Sequence, residues 1–211
     1  MNLSLTTIIN KPVSSNCHIF SDVETKHCII VDPGTEDGLF IDEKIKLFQL
    51  IPDQIILTHE HYDHIWSCQY LIDKYDIPIV CTKKCSEALG DPRKNLSLFF
   101  DYRKAFSCPS ASVLIDDENR SCLSWQCHSL LFYPASGHSM GDLLVIIDNF
   151  LITGDLLIKD LKTVTKLKCG SKDKLMQTLA LLETFKGKGL TVCPGHGDCF
   201  SLDNYDLKKA L

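Results

Sequence analysis

The stretch Ile55-Ile56-Leu57-Thr58-His59-Glu60-His61-Tyr62-Asp63-His64 runs from an apolar strand straight into three histidines, a glutamate and an aspartate. Gln54 to Thr58 reads as a short strand buried on both faces, because its apolar residues are continuous rather than alternating. His59 and His61 are two apart, so on extended backbone their rings project to one side and Glu60 to the other. Asp63 and His64 fall where the chain turns into a helix predicted over Ile65 to Tyr75, with Ile65, Cys68, Ile72 and Tyr75 as its stripe. A lone aspartate there is an ordinary N-cap, and a lone histidine beside a strand is an ordinary structural group. Four such groups in six positions have no packing advantage.

The same kind of ending recurs downstream. Leu131 to Pro134 leads through Ala135 and Ser136 to Gly137-His138. Leu151 to Thr153 delivers Gly154-Asp155, and Thr191 to Pro194 delivers Gly195-His196. Each time an apolar strand ends on a glycine, which permits a tight turn and close backbone approach, followed at once by a metal-ligand type. His59, His61, His64, His138 and His196 with Asp63 and Asp155 make a set suited to Zn²⁺ or iron.

The frame around these endings is mixed α and β. Strands are predicted at Thr6 to Val13, Cys17 to Ser21, His27 to Asp32, Ile77 to Cys81, Val113 to Ile115, Leu130 to Pro134, Leu143 to Ile147, Phe150 to Thr153 and Leu190 to Cys193. Helices are predicted at Phe40 to Gln49, around Leu96 to Arg103, and after Ser171 on the stripe Leu175, Leu179, Leu182 and Phe185, ended by Gly187. A short closing helix is expected at Tyr205 to Leu211, and residues 86–120 read as the least regular part.

With 211 residues, 45% hydrophobic and 23% charged, the chain suits one domain spanning residues 1–211. Its net charge of −5 argues against non-specific nucleic-acid binding. The N-terminal residues do not read as a signal peptide, and no window approaches the roughly 18 apolar residues of a membrane span. The eleven cysteines contain no C-x-x-C pair and read as reduced thiols acting as small hydrophobes. A cytoplasmic location with no membrane partner follows as the expectation.

The series T-H-x-H-x-D-H, Gly-His, Gly-Asp and Pro-Gly-His-Gly resembles the metallo-β-lactamase fold hydrolases, and within them the short glyoxalase II-like branch. Asn16-Cys17 and the turn Asp32-Pro33-Gly34 resemble the early strand and turn of that family. The resemblance implies a four-layer αββα sandwich with metals at one edge between two sheets. It implies one metal on His59, His61 and His138, a second on Asp63, His64 and His196, and Asp155 bridging them. Two Zn²⁺ are expected, with iron or manganese as alternatives. A hydroxide between the metals would attack a small ester, thioester or lactone-type substrate, oriented by Asp63. The runner-up is a persulfide dioxygenase-like oxidoreductase using one iron at His59, His138 and Asp155.

Other residues are given lesser roles. Glu60 reads as a supporting or surface group, because histidines at 59, 61 and 64 lack the spacing of an H-E-x-x-H helix. His18, His27 and His128 match no ligand position. The chain also departs from the short relatives by lacking a Gly-Arg segment after Asp155. Lys159, Lys162, Lys166 and Lys168 are candidates to hold an anionic substrate there, against the plainer reading of a solvated loop. Substrate specificity is expected from residues 86–120 and the loop after Asp155. Oligomeric state is left open.

Overall fold

The computed structural model describes residues 3–167 and 169–211; of the lysines above, Lys168 lies outside them. Two six-stranded sheets pack face to face. The first has the order β1 (Leu3–Ile9), β2 (Asn16–Asp22), β3 (His27–Val31), β4 (Ile51–Ile56), β5 (Ile79–Thr82) and β6 (Val113–Ile115). Its first three strands are antiparallel, and β3 through β6 are parallel. The second contains β7 (Ser121–Trp125), β8 (His128–Pro134), β9 (Leu143–Ile147), β10 (Phe150–Gly154), β11 (Thr191–Pro194) and β12 (Phe200–Ser201), running edge to edge from β12 to β7.

Three apolar layers explain this arrangement. Between the sheets, Phe20, Ile29, Val31, Ile56 and Val80 meet Leu130, Phe132, Val145, Ile152 and Cys193. On the outer face of the first sheet lie α1 (Gly38–Leu47), α2 (Tyr62–Ile65), α3 (Cys68–Tyr75), α4 (Lys83–Leu89) and the single turn α5 (Ser97–Phe100). Cys17, Cys28, Cys68, Cys81, Cys85 and Cys108 are buried in that outer layer as small apolar groups. On the outer face of the second sheet, α6 (Lys172–Glu183) buries Leu175, Leu179 and Leu182. The Ser171 hydroxyl caps α6 by accepting from Lys174 N. The result is the expected αββα sandwich.

Several boundaries differ from the sequence reading, each for a tertiary reason. The helix predicted over Ile65 to Tyr75 is two pieces, α2 and α3. Between them Ser67 donates its backbone N–H to Pro33 O and its hydroxyl to Thr35 O, bonds that hold it outside a continuous helix. The supposedly irregular stretch from 86 begins inside α4, which Thr82 caps through Cys85 N. β7 and β12 were not foreseen: Cys122, Leu123 and Ser124 of β7 are exposed on an edge strand, and β12 is two residues long.

Candidate metal centre

β3, β4, β8, β10 and β11 all end on one edge of the sandwich, and the histidines and aspartates leave from the turns that follow those ends. Thr58 N donates to Asp32 Oδ1 at 2.8 Å, and Leu143 N donates to Thr58 O, so the turn after β4 is tied to both sheets. His59, His61 and His138 bring one ring nitrogen each into a common cluster. Asp63, His64 and His196 form a second. Asp155 lies between them, with Oδ2 at 3.5 Å from His138 Nε2 and 3.6 Å from His196 Nε2, and Oδ1 at 3.6 Å from His64 Nε2. All seven residues singled out in the sequence therefore converge.

What aims the rings is visible in their outer nitrogens. His138 Nδ1 faces Val164 O at 3.0 Å, and His196 Nδ1 faces Ser14 O at 3.1 Å. A carbonyl only accepts, so both Nδ1 atoms carry hydrogen and both rings turn Nε2 toward the centre. His64 Nδ1 is held by Asp32 Oδ2 at 3.1 Å. Thr58 Oγ1 donates to the same oxygen at 2.6 Å and lies 3.0 Å from His59 Nδ1, extending the chain to a second ring.

Three of the converging atoms, His59 Nε2, His64 Nε2 and Asp155 Oδ1, are buried without a hydrogen-bond partner. Each such atom costs about 1–3 kcal/mol if left unsatisfied. A cation offsets that cost, and the donor set of imidazoles and carboxylates fits a divalent metal. The backbone makes room for this crowding at Gly195, where an added Cβ would lie 2.1 Å from Asp155 Oδ1 and 2.9 Å from His64 Cε1.

The electrostatics favour ligation as well. Burial, then the neighbouring histidines, push His59 far below the ordinary imidazole range. Burial and His138 do the same to His61. Both rings are therefore neutral and able to donate lone pairs. Burial alone would raise Asp63, but His64 and His196 hold it well below the usual carboxylate range. For His64 burial is outweighed by Asp63, Asp155 and Asp32, which lift it to about 10. That ring sits against three carboxylates.

The supporting residues were mostly not read from the sequence. Asn16 Nδ2 donates to Pro194 O at 2.9 Å and Gly197 O at 2.8 Å, bracketing the turn that carries His196. His18 Nε2 donates to the same Pro194 carbonyl at 3.0 Å, a structural role consistent with its exclusion as a ligand. Asp142 accepts from His138 N and Ser139 N and fixes the other histidine turn. Local sequence carries no signal for these bonds, since Asn16 and Pro194 are 178 positions apart.

Glu60 needs a correction of its surface alternative. It is 5% exposed and accepts from Ser139 Oγ at 3.0 Å, on the side away from the two clusters. Burial lifts it to about 7. Between its ordinary 4.5 and about 7 the folded chain holds a proton that the unfolded chain releases, so stability falls as pH rises through that window. Glu60→Gln keeps the Ser139 bond without the charge. In urea titrations of metal-stripped protein, the variant is expected to gain roughly 1–3 kcal/mol on wild type between acid and mildly alkaline pH. A constant difference across that range would refute this account of Glu60.

A cavity of ≈ 510 Å³ opens on the centre, lined by His138, Asp155, His196, Ile158, Leu161 and Lys162 among others. The loop after Asp155 thus forms a wall, whereas residues 86–120 do not line this cavity.

Residues 10–196 match the family described as the metallo-β-lactamase superfamily. The chain belongs to that superfamily. It is similar to a probable metallo-hydrolase of Bacillus subtilis, 27% identical over 88% of this chain and 86% of that protein. A hydroxyacylglutathione hydrolase of Hamiltonella defensa is 23% identical over 88% of this chain and 63% of that protein. Among solved structures, the BLEG-1 B3 metallo-β-lactamase superposes with a TM-score of 0.86, at 26% identity and 94% coverage of both chains. The superfamily and the relative's name place the chain among metallo-hydrolases. Among the described residues, no helix is long and apolar enough to cross a membrane.

Proposed function

We propose that the chain is a dinuclear metallohydrolase, with zinc as its metal, that cleaves a small ester, thioester or lactone-type bond. His59, His61 and His138 would hold one cation, Asp63, His64 and His196 the other, and Asp155 both. The observation that carries this reading is the position of the Asp155 carboxylate, within 3.6 Å of ring nitrogens from both clusters. Divalent metal in these clusters supplies Lewis acidity, which acidifies water and polarises an acyl carbonyl.

The chain's own residues supply the rest. Asp63 Oδ2 lies 3.4 Å from His196 Nε2 and 3.7 Å from His64 Nε2, and its ionised carboxylate can accept a proton or orient water at that point. Ile158, Leu161 and Val164 give the cavity an apolar wall suited to an acyl chain. Lys162, at the rim, offers one cation to an anionic tail, a smaller provision than a glutathione-sized partner with two carboxylates requires.

Metal analysis of the purified protein, coupled to a substrate panel, tests the proposal. Two Zn²⁺ per chain and turnover of a thioester, ester or lactone are expected. A β-lactam belongs in the panel because BLEG-1 is named a B3 metallo-β-lactamase. One iron per chain with oxygen uptake on a persulfide would replace hydrolysis by the oxidoreductase reading.

A further inference from the structure

At the opposite end of β2 from the candidate metal centre, three hairpin turns bring together Asp22, Cys127, His128 and Asp148. β2 has the His196 turn beside Asn16 at one end and Asp22 at the other, a span of about 20 Å for seven extended residues. The β7–β8 hairpin turns through Gln126 and Cys127, with Gln126 in the left-handed region at φ 50°, and this places Cys127 against Asp22. Cys127 Sγ lies 3.4 Å from Asp22 Oδ2 and 3.6 Å from His128 Nε2, and those two atoms are 3.3 Å apart.

That triangle has the dimensions of a tetrahedral face. With Zn–S near 2.3 Å and Zn–N and Zn–O near 2.0–2.1 Å, tetrahedral angles put N and O about 3.3 Å apart and sulfur about 3.6 Å from either. We propose that Asp22 Oδ2, Cys127 Sγ and His128 Nε2 form a second, separate zinc-class site that pins the two sheets together at this end. The thiol proton leaves to solvent as the thiolate binds.

The supporting groups are already set for it. His128 Nδ1 lies 2.9 Å from Asp148 Oδ2, a carboxylate that fixes the tautomer with hydrogen on Nδ1 and a lone pair on Nε2. The Trp125 ring stacks on the imidazole at 5.5 Å and 26°, while its indole N–H donates to Asp53. Asp22 Oδ1 is occupied by Glu24 N, Thr25 N and Thr25 Oγ1, which holds the carboxylate with Oδ2 pointing at the sulfur and the ring. His128 and Asp22 are each 3% exposed, while Cys127 is exposed, so a cation has protein on one side and an entry path on the other. A hydrogen-bonded cluster of the same three side chains gives these contacts without a metal, and the experiment separates the two.

Cobalt distinguishes this site from the catalytic one, because the seven residues of the candidate catalytic centre include no cysteine. Metal-stripped protein titrated with Co²⁺ is expected to develop a near-ultraviolet thiolate-to-cobalt charge-transfer band that Zn²⁺ then bleaches. The band should persist in Asp155→Ala, so it survives failure of the dinuclear reading. It should vanish in Cys127→Ala, which binds one equivalent fewer while keeping hydrolytic activity. Asp22→Asn, which keeps the Oδ1 contacts, should weaken Co²⁺ binding by about 10-fold or more. No band at saturating Co²⁺, or a band unchanged in Cys127→Ala, overturns the proposal.

Discussion

Asp155→Ala is expected to lose metal and hydrolysis together. The carboxylate puts one negative charge between two clusters of nitrogen and oxygen donors, at 3.5 Å from His138 Nε2 and 3.6 Å from His64 and His196 Nε2. Two dications held side by side repel strongly where water is scarce, and a shared carboxylate is what makes double occupancy tolerable. Losing a group that merely orients a ligand costs about 10–100-fold in metal affinity, and loss of the proposed ligand to both metals should exceed that. Elemental analysis after gel filtration and initial rates on the best panel substrate read the two effects. Because Asp155 Oδ1 has no hydrogen-bond partner, the turn should keep its shape without the side chain. A folded variant with both metals and full rate would sink the bridging role.

Asp155 was legible because it ends a strand of apolar residues on a glycine, and so were His138 and His196. The strands at the middle of the second sheet were legible for a related reason: buried on both faces, Leu143–Ile147 and Phe150–Gly154 are nearly unbroken apolar runs. Edge strand β7 has only Trp125 buried, so its pattern carries no burial signal. α4 was obscured because its buried face is Cys85, Ala88 and Leu89, a short stripe following a strand with no loop between. The start of β4 was missed at Pro52, which cannot donate to a ladder; the β3–β4 pairing shifts register at that point.

The limits were sharper for groups that act on the ligands. Asp32 read only as part of a turn, yet its carboxylate is claimed by Thr58 and His64, 26 and 32 positions away. The cluster at Asp22, Cys127, His128 and Asp148 was invisible for the same reason. Its members are local turn residues in the sequence, and only the stacking of two sheets makes them neighbours. A motif discloses what one strand end carries; it does not disclose which neighbouring strand end will satisfy it.

Asp32 carries the second large effect. Its side chain is buried at 2% exposure, with the residue itself in the left-handed region at φ 51°. Oδ1 accepts from Thr58 N at 2.8 Å, and Oδ2 accepts from Thr58 Oγ1 at 2.6 Å and from His64 Nδ1 at 3.1 Å. One carboxylate therefore anchors the start of the histidine run and sets the tautomer of a proposed ligand. Asp32→Ala leaves a backbone N–H and an imidazole N–H buried and unpaired, and should cost about 3–5 kcal/mol in urea unfolding. Asp32→Asn preserves volume but offers one acceptor oxygen where the carboxylate offers two. It should stay folded while binding metal about 10–100-fold more weakly in chelator competition, because His64 loses its fixed aim. The contrast separates the two roles: alanine tests the frame, and asparagine tests the aim. If asparagine bound metal as tightly as the wild type, Asp32 would be a turn anchor alone, and His64 would owe its orientation to the packing of α2, the helical turn that carries it.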